Sequence, residues 1–178
     1  MSLLKFLGLE RRSEKVENRD TQTVRKIVRQ LESLEPDRAR YVAAFAFILG
    51  RVALADLEVS EAESRAMEGL VTNFGGLPEA QAVLVVEIAK AQAALFGGTE
   101  DFLVTRQFKD VSTPEQRSEL LHCMFAVSAA DDSVSSVEEE QIRQIAVELG
   151  LDHDDYVAAR AAYASKRAVL RDLPGAGA

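Results

Sequence analysis

A chain of 178 residues that is 47% hydrophobic has the size and apolar content of one self-contained domain. Its formal charge of -8, from 29 acids against 21 bases, repels phosphate backbones at long range and argues against a nucleic-acid partner. Cys123 is the only cysteine, which excludes an internal disulfide and a thiolate metal cage and points to a reducing, cytoplasmic setting.

No run of residues is long and apolar enough to span a membrane, and residues 1–9 lack the layout of a secretory signal. That segment carries Leu3, Leu4, Phe6, Leu7 and Leu9 around Lys5. One short apolar patch binds a bilayer only marginally, so packing on the body is expected, with at most weak peripheral membrane contact. The charged stretch from Glu10 to Asp20 reads as a linker, giving residues 1–20 as an apolar segment and linker ahead of a helical domain over 21–170.

Val24, Ile27, Val28 and Leu31 recur at helical spacing and predict the first helix. Pro36, preset for a first helical turn, opens a second whose Tyr41, Phe45, Ile48, Val52 and Ala55 form one apolar stripe. Ser60 followed by Glu63 is a capping-box pattern, predicting a third helix through Met67, Leu70 and Val71 to Gly75-Gly76. Pro78 opens a fourth, nearly continuous in apolar residues from Val83 to Ala89 and expected to be central; Gly97-Gly98 ends it.

Thr99 begins a short helical or irregular piece containing Phe102, Leu103 and Phe108. Thr113-Pro114-Glu115-Gln116 combines a cap, a first-turn proline and a capping-box Gln, ahead of Leu120, Met124, Val127 and Ala130 on one face. Ser135 and Glu138 repeat the capping box before Ile142, Ile145, Leu149 and a stop at Gly150. A last helix runs from about Asp152 to Leu170, and residues 171–178 form a flexible tail. The expected fold is all-α, a compact bundle of about seven or eight helices.

Within it one unit recurs: a helix, an acidic turn and a second helix. At an offset of 75, Asp56 falls on Asp131, Val59 on Val134, Ser60 on Ser135, Glu63 on Glu138, Met67 on Ile142 and Leu70 on Ile145. Each aspartate follows an apolar helix and so faces the negative end of its dipole, unless the next helix's amides or a cation compensate. The first turn gathers Asp56, Glu58, Glu61 and Glu63, the second Asp131, Asp132, Glu138, Glu139 and Glu140. Oxygen-rich clusters of this kind suit calcium or magnesium. They are not EF-hands, because the glycine of loop position six is replaced by Glu61 or Ser136 and the bidentate glutamate of position twelve by Met67 or Ile142.

The segments FILGRVALADLEVSEAESRAMEGLV and MFAVSAADDSVSSVEEEQIRQIAVELGL resemble the tellurite-resistance TerB-like family, whose fold is shared with a domain of the membrane-linked co-chaperone DjlA. The likeness covers about Ala39 to Leu151. The family's usual turn reads Ala-Asp-Gly, and Leu57 and Asp132 stand here at the glycine positions. The resemblance implies a non-enzymatic, all-helical protein of stress response or toxic-oxyanion resistance. It also implies a metal-binding role for Asp56, Glu63, Asp131 and Glu138; Glu58 and Asp132, from the acidic clusters themselves, are further candidates.

The same capping residues also read as structure alone, since capping accounts for Ser60, Glu63, Ser135 and Glu138 without any ligand. The alternative function is a protein-interaction module that binds no metal and meets its partner through the acidic turns or an exposed helix face. No catalytic residues are expected. His122 and His153 have no partner spacing typical of a zinc site or of a nucleophile and base, and no phosphate-binding glycine loop is present. Cys123, beside Leu120, Leu121 and Met124, reads as a small core residue.

Overall fold

The computed structural model describes residues 19–53, 61–95, 101–130 and 134–164. They form α1 (Arg19–Glu32), α2 (Pro36–Ala53), α3 (Glu61–Gly75), α4 (Glu79–Leu95), α5 (Asp101–Val111), α6 (Pro114–Ser128), α7 (Ser136–Glu148) and α8 (His153–Ala162). The expected all-α bundle is therefore the observed one. Residues 1–18, the two acidic turns at 54–60 and 131–133, Gly97-Gly98, and the last helix and tail beyond 164 lie outside the described residues.

The sequence pattern marks α2 as a striped helix, but residues 41–49 are buried without interruption. The cause is its surroundings: α1, α4, α5, α6 and α7 all pack on it. A helix walled in on every side has no polar face to keep. Ala43, Ala44 and Ala46 permit close approach, while Phe45, Ile48 and Leu49 fill the spaces between neighbours. The centre of the bundle is thus α2. The helix expected there, α4, packs against α1, α2 and α3.

The piece after Thr99 is a regular helix, α5, because Val104, Thr105 and Phe108 bury one side of it against α2. Phe108 stacks on Tyr41 at 5.1 Å and meets Phe45 edge-on at 6.2 Å. Leu103, on the other side, is 56% exposed.

Helix ends follow local chemistry. Thr113 caps α6 with its hydroxyl accepting from Gln116 N, while Gln116 Oε1 accepts from Thr113 N at 2.9 Å. Ala130, expected on the buried face of this helix, lies beyond its end at Ser128 and is exposed. At the end of α7, Gly150 takes φ +71°, with Leu151 N donating to Ala146 O and Gly150 N to Val147 O. This is a Schellman stop. The two glycines that end α3 have different tasks: Gly76 supplies φ +61°, whereas Gly75 makes room. A Cβ at Gly75 would lie 2.7 Å from Phe45 Cζ.

Candidate functional site

The second acidic turn lies between α6 and α7, and its described side begins with Val134, only 1% exposed. Ser135 follows as the N-cap of α7: its hydroxyl accepts from Glu138 N at 3.2 Å, and Glu138 Oε2 accepts from Ser135 N at 2.8 Å. This reciprocal box fixes the Glu138 carboxylate at the N-terminus of α7, where the helix dipole favours negative charge. The other oxygen of Glu138 accepts no hydrogen bond among the described residues.

The next two glutamates are matched by arginines. Arg160, from α8, donates its Nε to Glu139, whose side chain is 13% exposed. Arg143, one turn along α7, donates its Nε to Glu140 at 2.8 Å and holds that exposed carboxyl below its ordinary range through the hydrogen bond and its charge. Of these three consecutive acids, Glu138 is therefore the capping carboxylate that the sequence pattern predicts, and Glu139 and Glu140 are in ion pairs.

The first acidic turn is represented by the opening of α3, where Glu61 lies 3.6 Å from Arg65 in an exposed i,i+4 pair. Glu63 belongs to that same helical turn. Asp56, Glu58, Asp131 and Asp132 lie outside the described residues, as does Ser60. Among the described residues no group of three His, Cys, Asp or Glu is placed to hold a metal ion. They fit such a site only through the one uncommitted oxygen of Glu138.

A polar cluster that the sequence does not announce joins the helix before the first turn to the helix after the second. Arg51, in the last turn of α2, donates NH1 to Glu148 Oε2 and to Thr105 Oγ1 of α5, both at 3.0 Å. The side chains of Arg51 and Glu148 are only 7% and 12% exposed. Arg117 of α6 donates to Leu149 O at 3.2 Å, covering the negative end of α7. Arg51 and Glu148 are 97 residues apart, so no spacing rule would pair them.

Cys123 is fully buried, and burial pushes its thiol up to about 12, which makes it an inert core residue. His122 is half-buried, with its carbonyl accepting from Tyr163 Oη at 3.4 Å. His153 is exposed at the start of α8.

Comparison with known proteins adds one finding. The family described as Tellurite resistance protein TerB matches residues 42–161, from the buried run of α2 into α8. The chain belongs to the TerB family. No curated protein and no solved structure matches it. The TerB match spans α2 to α8 almost completely and takes in both acidic turns, and no helix in the described residues is long and apolar enough to cross a membrane.

Proposed function

We propose that this TerB-family chain is a non-enzymatic, cytoplasmic stress-response protein of the tellurite-resistance type that takes a divalent cation, calcium or magnesium, at its acidic turns. Membership of the family supports the first part. The cation reading rests on Glu138. Its carboxylate is held in place by the Ser135 box with one oxygen uncommitted, while its neighbours Glu139 and Glu140 are neutralised by arginines. Beyond these pairs, the nearest acids in sequence are Asp131 and Asp132 of the same turn, and the second turn is read as the stronger of the two sites. Oxygen donors of this kind suit hard cations. A bound cation would supply the positive charge that an aspartate after a helix C-terminus otherwise lacks. In the first turn Asp56 and Glu63 hold the equivalent positions, with Glu58 as a further acid nearby.

The test is thermal unfolding with and without calcium or magnesium, paired with titration calorimetry. The parent protein is expected to gain melting temperature with one of these ions, and Asp131→Asn with Asp56→Asn to lose that gain. A parent protein indifferent to both ions defeats the reading.

The second reading is an interaction module, favoured by Val137 and Val147 of α7, which are 74% and 66% exposed. Partner capture that ignores chelator and falls with salt would support it. Capture abolished by chelator would instead support the cation site.

A further inference from the structure

The helices that follow the two acidic turns, α3 and α7, are supplied with positive charge in unequal ways. At the offset of 75, Ser64 of α3 falls on Glu139 of α7, each the residue after the glutamate of its capping pattern. Each receives a cation from the next helix along the chain: Lys90 of α4 donates its Nζ to Ser64 Oγ at 2.9 Å, and Arg160 of α8 donates its Nε to Glu139. The acceptors differ in charge. Glu139 neutralises Arg160, whereas the hydroxyl of Ser64 leaves the charge of Lys90 intact. Lys90 is exposed and has no ion-pair partner among the described residues. The nearest acid on its own helix, Glu87, is taken by Lys26 at 2.6 Å, and Glu61 of α3 is paired with Arg65.

Ser64 is the fourth residue of α3, so Lys90 sets its ammonium at the positive end of the helix dipole, where a cation gains nothing from the helix. There it opposes any further positive charge. At the same end of α7 the charges of Glu139 with Arg160 and of Glu140 with Arg143 cancel in pairs and leave Glu138 in excess. A unit charge within a side chain's reach of a divalent ion lowers its affinity by about tenfold or more, an effect that salt screens.

We propose that Lys90 sets the order in which the protein takes up divalent cations: its ammonium weakens binding at the α3 end, so that the α7 end fills first. The inference rests on the cation reading above and adds to it the residue that makes the two ends unequal. It is tested on the full chain by titration calorimetry with calcium and, separately, with magnesium. The parent is expected to bind in two phases whose dissociation constants lie about tenfold or more apart, and Glu138→Gln to weaken the tighter phase only. Lys90→Gln is expected to tighten the weaker phase by about tenfold and leave the tighter one, whereas Lys90→Arg, which keeps the charge, keeps the gap. Raised salt should narrow the gap in the parent more than in Lys90→Gln. Lys90 is exposed, so both of its variants should melt with the parent in chelator. One ion bound by the parent and a second gained in Lys90→Gln would support the proposal as the same result with a wider gap. Two equal sites in the parent, or a titration unchanged in Lys90→Gln, would overturn it and leave the cation reading standing. Neither ion bound by the parent or by Lys90→Gln would overturn both.

Discussion

Arg51 and Glu148, 97 residues apart in sequence, form a largely buried ion pair at 3.0 Å that Thr105 completes. Removing one member of such a pair leaves the other charge desolvated, at a cost of about 3–5 kcal/mol, while removing both for apolar residues is far milder. Arg51→Met and Glu148→Leu should each lower stability strongly in denaturant unfolding. The double variant should recover much of the loss. Losses that simply add would mean the two side chains act independently.

Gly75 is a packing requirement. The 2.7 Å separation between its notional Cβ and Phe45 Cζ leaves no room for a methyl group against a fully buried ring. Gly75→Ala should cost about 1–3 kcal/mol of overpacking, despite the better helix propensity of alanine. Adding Phe45→Leu should relieve the clash, so that Gly75→Ala costs less in that background than in the parent.

The capping box allows structure and ligand to be separated at one position. Ser135→Ala removes the hydroxyl that accepts from Glu138 N and should cost about 1 kcal/mol while leaving the cation-dependent gain in melting temperature. Glu138→Gln keeps a side-chain oxygen for Ser135 N but removes the charge, so it should change stability little and weaken the cation response. If both variants respond to cation like the parent, Glu138 is only a cap.

Alkaline pH should destabilise the protein through Cys123 and Tyr41. Burial raises the thiol from its ordinary value of 9.0 to about 12 and the phenol from 10.0 to about 12, the latter with help from Glu119. In the window from about pH 9 to 12 the unfolded chain gives up these protons before the folded one does, so stability falls as pH rises. Cys123→Ala and Tyr41→Phe should each flatten that fall, read as midpoint against pH. In the folded state below pH 9 the thiol should also be unreactive toward alkylating reagents.

The parts of the fold that could be read from sequence are those written in short-range chemistry. Thr113 with Gln116 and Ser135 with Glu138 announce helix starts three residues apart, and Gly150 announces a stop one residue after the last apolar contact. Burial depended on neighbours that no local pattern specifies. Residues 41–49 read as a stripe because periodicity cannot count how many helices will surround them, and Leu103 read like Phe108 although only one of the two faces α2. At the candidate site, the sequence located Glu138 and its cap but left Glu139 and Glu140 as free acids. Arg160, the partner of Glu139, comes from another helix, 21 residues on, whereas Arg143 stands at i+3 from Glu140, a pairing that helical spacing already allows.

The enclosed position of α2 bears on how ligand binding would be observed. A rod gripped by five other helices cannot slide or turn without disturbing all of them, so it transmits force rather than yielding to it. The first acidic turn is the covalent continuation of that rod, only two residues separating Ala53 from Asp56. A ligand gained there should change the outline of the molecule little and should instead be evident as slower amide exchange throughout the core and a later, sharper melting transition.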